Sequence, residues 1–429
     1  MFALPPRPRA PWADLDPRIT RIALARAINT FGLSLVMTFL GVYIVKERGY
    51  SAALYGVLAL VANLGQSATS AWAGELSDRI GRRPLITGAL SIRAAVIVAL
   101  GTLVLVHAPL WAIAIGFVVS SALRGCFEPV AYALVADLVT PAQRVPAYGL
   151  QRMGVNLGWA AGPALGGLLV MVVPYGALFY LSALGMIAAN VVMVGVDDPR
   201  APAAGARPEP PPPGRLRDSL RAATEHPPML ALLVGTVLFA LVHTQMFTGL
   251  GIHVTRNLGL SERSLGLVYT LNGVLVLLLQ WPALSLIERF GVGRVLVAAS
   301  LGFALGFGLV GVASGLSGIL LAMAAITVAE VAFAPAHQAA TAAASDSRRL
   351  GTTFGLVGFA QTFGVAFAPL LGGLLLDHPT HAHPWLAVWG TIASLALVMA
   401  AVFTVQARLS TRAAAGLARA TVASPCRPS

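Results

Sequence analysis

Long apolar runs alternate with short polar breaks along the whole chain. A membrane-spanning helix needs about 20 mainly apolar residues. Twelve runs reach that length, near 20–45, 52–76, 84–107, 110–138, 147–172, 174–196, 228–252, 262–287, 294–314, 317–343, 352–376 and 384–408. The pattern predicts an all-α membrane protein of twelve transmembrane helices in two six-helix bundles. Residues 197–227, with Asp197, Asp198, the run Pro210 to Pro213, and Arg215, Arg217 and Arg221, read as a solvated linker. The expected organisation is a tail (1–19), a first bundle (20–196), the linker (197–227), a second bundle (228–408) and a second tail (409–429).

The two sixes repeat each other. At a shift of 210 residues, Gly41, Gly49, Ser51, Gly56, Arg79 and Gly81 meet Gly251, Gly259, Ser261, Gly266, Arg289 and Gly291, and Asp78 meets Glu288. Further on the shift becomes 206, and Pro129, Gly158, Pro163, Gly166 and Gly167 meet Pro335, Gly364, Pro369, Gly372 and Gly373. Two pseudosymmetric bundles joined by a polar linker are the build of an alternating-access transporter, which holds its substrate near midplane.

Composition sharpens this picture. Hydrophobic residues make up 57% of the 429 and charged ones 11%, and mean hydropathy is +0.78. That excludes a soluble enzyme or a disordered chain. Cys126 and Cys426 lie too far apart to suggest a disulfide framework. The net charge of +12 could suggest nucleic acid, but its placement does not, because no basic stripe with interleaved aromatics occurs. With the N-terminus inside, 21 basic residues fall in inner loops and tails and four (Lys46, Arg48, Arg256, Arg263) in outer loops. The positive-inside rule therefore places both termini and the linker in the cytoplasm of a multi-pass inner-membrane protein. The Pro/Arg-rich N-terminus is expected to be a cytoplasmic tail and not a cleaved signal.

Between spans two and three stands Gly74-Glu-Leu-Ser-Asp78-Arg79-Ile-Gly81-Arg82-Arg83-Pro84. It resembles the loop signature of the major facilitator superfamily, G-x-L-x-D-R-x-G-R-R, and the resemblance covers roughly residues 18 to 408. It implies a gating latch of Gly74, Asp78, Arg79, Gly81, Arg82 and Arg83. A carboxylate at a helix C-terminus is unfavourable alone, because that end is already partly negative. By resemblance, Asp78 faces the N-terminus of span eleven near Gly351-Thr352-Thr353, and Arg82 bridges to Asp137. The second copy, Glu288-Arg289-Phe290-Gly291, is degraded and implies a weaker latch.

Span five carries Gly158, Gly162, Pro163, Gly166 and Gly167, similar to the motif of the twelve-helix drug/proton antiporter branch of that superfamily. The alternative is plain small-residue packing, since glycines four apart let backbones approach. Span four departs from the family pattern. Its arginine is Arg124, later than the usual position, so the family's coupling role does not transfer directly.

Arg124 lies mid-span, Glu128 follows four residues on, and Glu330 lies mid-way through span ten, at the place equivalent to Arg124 under the 206 shift. An intramembrane charge costs roughly 2.5–3.5 kcal/mol or more, so each should face a wet cavity or a partner. Glu330, Glu128 and Arg124 are the proton-coupling candidates. The other reading is a fixed Arg124–Glu128 pair, on one helix face, with a static Glu330. Arg26, Asn29, Asn63, Gln66, Asn156, Gln245, Asn272, Gln338 and Gln361 are candidates to line a substrate cavity. No metal or cofactor is expected; His378, His381 and His383 read as an ordinary polar loop.

The expected function is proton-coupled export of small amphipathic molecules by a monomer in the lipid bilayer, with substrate and protons as its partners. A sugar or organic-acid importer is the nearest rival. A rhomboid-type protease is remote: Ser317 of Gly315-Leu-Ser-Gly318 lies 20 residues from His337, about 30 Å along a helix. An ATP-driven pump is excluded on this chain, because its one lysine, Lys46, follows Val45 and not the Gly of a Walker A loop.

Overall fold

A computed structural model of the chain describes residues 15–140, 143–198, 226–344, 350–377 and 384–423. Most of the expected N-terminal tail, most of the linker and His378, His381 and His383 lie outside the described residues. The helices are α1 (Pro17–Val42), α2 (Ala52–Ile80), α3 (Arg82–Leu105), α4 (Leu110–Gly125), α5 (Glu128–Leu138), α6 (Arg144–Leu169) and α7 (Tyr175–Val194), then α8 (Pro227–Thr244), α9 (Gly249–Ile252), α10 (Glu262–Phe290), α11 (Val292–Val312), α12 (Leu316–Ala343), α13 (Leu350–Asp377) and α14 (Pro384–Ala423). Among the described residues, eleven helical stretches are long and apolar enough to cross a membrane. The remaining member of the pattern is α6, whose first half carries Arg144, Gln151, Arg152 and Asn156.

The repeat is visible in the backbone. A π-helical turn at Tyr43–Glu47 recurs at His253–Asn257, and both α2 and α10 run for 29 residues. Gly81 and Gly291 sit in the α2–α3 and α10–α11 turns with φ of +94° and +81°. Only glycine takes that conformation without strain, which is why both copies keep it.

Three elements differ from the expectation. Span four is two helices. After Gly125, Cys126 and Phe127 form tight i→i+3 bonds to Leu123 and Arg124, and α5 starts just before Pro129, which has no N–H to continue the α4 ladder. Span seven breaks after Thr244 and resumes as α9 and the π turn. The last helix continues to Ala423, past the boundary expected at 408.

The chain divides into two compact units, Met1–Leu40 with Val61–Glu209, and Gly41–Leu60 with Pro210–Ser429. In the first, α3 packs on α4 and α7, over a core that includes Ile19, Ile22, Ile86, Phe127, Val130 and Leu134. In the second, α11 packs on α12 and α14, and α8 on α13 and α14. Its core is aromatic: Phe239 stacks on Phe333 at 4.1 Å between centroids, and Phe303 and Phe403 meet Phe333 edge-on.

Candidate functional site

Helix α6 positions α1. A Cβ on Gly158 would lie 2.7 Å from the Ala27 carbonyl and the Phe31 nitrogen, and one on Gly162 would strike Ser34. Ser34 Oγ donates to the Gly158 carbonyl at 2.9 Å. The glycines of span five thus let two backbones meet. Pro163 sits within α6, and Gly167 is buried beside Gly166.

This packing holds Arg26 of α1 inside the first unit. Arg26 Nη2 donates to Glu128 Oε2 at 2.5 Å, and its guanidinium lies 4.0 Å from the Tyr132 ring centroid. The Arg124–Glu128 pair of the alternative reading is not formed among the described residues: the break at Cys126–Phe127 changes the helical phase between them. Arg93 of α3 is buried and reaches Ser120 Oγ at 3.3 Å and Asn29 Oδ1 at 3.4 Å. Asn29 therefore serves Arg93.

In the second unit, Glu330 of α12 accepts from Asn272 Nδ2 at 3.0 Å, and His243 Nε2 stands 3.2 Å from its other oxygen. Asn272 also donates to Thr327 Oγ1 at 3.0 Å. The imidazole of His243 is stacked on Phe239 and meets Phe247 edge-on. A carboxylate, an imidazole and an amide converge here from three helices, in an apolar surround.

At the α2–α3 turn, Arg82 is buried. Its Nε bonds to Asp137 at the end of α5, and its Nη2 lies 3.4 Å from Asp78. Arg79 instead pairs with Glu75 at the surface, at 2.5 Å. Arg83 donates to the Val194 carbonyl, and its backbone N–H donates to Asp198, which stands at the positive end of α3. A Cβ on Gly74 would meet nothing.

The remaining candidates differ in their burial. Gln245, expected to line a cavity, is buried in helix packing and donates to the Ala368 carbonyl at 2.7 Å. Asn63, Gln66 and Asn156 are half-buried, and Gln338 and Gln361 are exposed. Sequence reasoning did not single out His243 and Tyr132. His243 is a polar residue inside a span, but its pairing with Glu330 crosses 87 residues of chain, and nothing local marks Tyr132.

The profile of the Major Facilitator Superfamily matches residues 22–256 and again 232–424. The chain belongs to this superfamily. An MFS-type transporter of Bacillus subtilis (strain 168), YqjV, is 23% identical over 373 residues, covering 85% of this chain and 88% of that protein. The multidrug resistance protein MdtH of Cronobacter sakazakii is 24% identical, covering 84% and 88%. Among solved structures, the peptide transporter POT in complex with sulfate superposes with a TM-score of 0.72 at 16% identity, covering 92% and 95%. That likeness establishes the fold of this superfamily member as two pseudosymmetric six-helix bundles in a multi-pass membrane protein.

Proposed function

We propose that this major facilitator protein exports small amphipathic molecules in exchange for protons, working by alternating access as a monomer in the inner membrane with both termini cytoplasmic. The observation that carries the proton part is Glu330, mid-helix among apolar residues, with His243 at 3.2 Å and Asn272 at 3.0 Å. An ionised Glu330 accepts from Asn272 and attracts a protonated His243, and its own protonation weakens both contacts. Such a group can tie proton entry to a change in packing. Glu128, held by Arg26, is the second carboxylate that a proton can address, with Arg124 four residues before it. The Asp78–Arg82–Asp137 cluster is the gating latch, and its rupture opens the cytoplasmic side. Export is supported by the resemblance of span five to the antiporter motif and by the likeness to MdtH.

The test is flux in proteoliposomes under an imposed pH gradient, screened against dyes, antibiotics and sugars. Gradient-driven movement of dyes or antibiotics, abolished in Glu330→Gln while the variant still folds and inserts, is the expected result. Full transport by Glu330→Gln ends the proton assignment. Tight binding of one sugar, with dyes ignored, favours the importer reading instead.

A further inference from the structure

Arg26, Arg93 and Arg124 lie in spans of the first unit, with Glu128 bonded to the first of them. Arg26 is 1% exposed and Arg93 2%, and Arg124 stands in the last turn of α4 with its Nε enclosed. Glu128 is committed to Arg26 Nη2. Among the described residues, Arg93 has only the neutral partners Ser120 and Asn29. Among the described residues, the Nε and Nη1 of Arg26 and the Nε of Arg124 find no hydrogen-bond partner. The Tyr132 ring under Arg26 supplies a favourable face but no negative charge.

Arginine does not give up its proton in a protein, so among the described residues two positive charges here are left without a counter-ion. Buried unpaired charge is expensive, and in a membrane it marks a functional site. Guanidinium also fits carboxylate, sulfonate and phosphate geometry better than ammonium does. The cluster is reachable from one edge, where the Glu128 side chain is 27% exposed and Tyr132 39%.

We infer that the transported molecule presents an anionic group to Arg26 and Arg124, taking the place at Arg26 that Glu128 holds. Glu128 is then a tethered counter-ion that occupies Arg26 between cargoes and competes with the cargo. This rests on the exporter reading above and narrows the cargo from amphipathic molecules in general to amphipathic anions.

The test uses carboxyfluorescein as the anionic probe and ethidium as the cationic one. Binding to the purified full chain is followed by fluorescence, and flux in proteoliposomes under a pH gradient. Wild-type protein is expected to bind carboxyfluorescein saturably and Arg124→Gln more weakly. Glu128→Gln, which removes the competitor, should bind it at least roughly fivefold more tightly, a coupling of ordinary size. A gain in affinity cannot come from misfolding, so this variant keeps the idea testable even if Arg124→Gln fails to fold. An unchanged or weaker affinity in Glu128→Gln overturns the inference. Gradient-driven ethidium flux without carboxyfluorescein binding overturns it too, and leaves the exporter reading standing. Saturable carboxyfluorescein binding that Glu128→Gln tightens, with no flux responding to the gradient, keeps the anion site and removes the proton-coupled reading.

Discussion

The carboxylate of Asp377, the last residue of α13, caps the first turn of α2: its oxygens accept from the backbone N–H of Ala52 at 3.0 Å and of Ala53 at 2.6 Å. A negative charge at a helix N-terminus satisfies orphan donors and meets the positive end of the helix dipole. Arg256 adds an ion pair to the same carboxylate at 3.4 Å, and Lys46 bonds Glu262 nearby in the same unit. Asp377→Ala should cost about 0.5–2 kcal/mol, read as a lower thermal midpoint in detergent, with Asp377→Asn milder. A midpoint equal to wild type in the alanine variant would show that the cap contributes nothing.

The Arg82–Asp137 pair is nearly enclosed, with both side chains 10% exposed. Removing Arg82 alone takes the cation from a nearly enclosed carboxylate. Arg82→Ala should therefore destabilise by about 3–5 kcal/mol, while Arg82→Ala with Asp137→Ala recovers part of the loss. A double-mutant cycle on thermal unfolding checks this, and strict additivity would contradict it.

The same logic applies to Arg26. Arg26→Gln leaves Glu128 without its 2.5 Å partner. The single variant should be less stable than Arg26→Gln combined with Glu128→Gln, in the same unfolding assay.

Glycines of α6 separate by what surrounds them. Gly158→Val should lose folded protein in size-exclusion profiles, since even a Cβ there lies 2.7 Å from the α1 backbone. Gly149, also in α6, has nothing within 4 Å of an added Cβ. Gly149→Ala should raise stability by about 0.5–1 kcal/mol. Equal behaviour of the two variants would refute the close-packing account of the α1–α6 contact.

Much of the fold was legible because its signals are local. Apolar run length marked the spans, and the 210-residue offset reappears as matching π turns and matching positive-φ glycines. The Gly74–Pro84 motif is likewise contiguous. The site was less legible. Spacing put Glu128 with Arg124, but two tight turns before Pro129 changed the phase and gave Glu128 to Arg26. Gln245 looked like a cavity residue because polarity alone cannot tell a wet wall from a satisfied packing bond.

The sequence by itself determined that this chain lives in a membrane, that it is built twice over, and which charges sit among apolar residues, because hydropathy and glycine punctuation act within a few turns of chain. Only the tertiary structure decided the partners of those charges: Arg26 for Glu128, His243 and Asn272 for Glu330, Ser120 and Asn29 for Arg93. Those pairings join helices that are distant along the chain, and their choice depends on helix phase and packing depth, which no single segment carries.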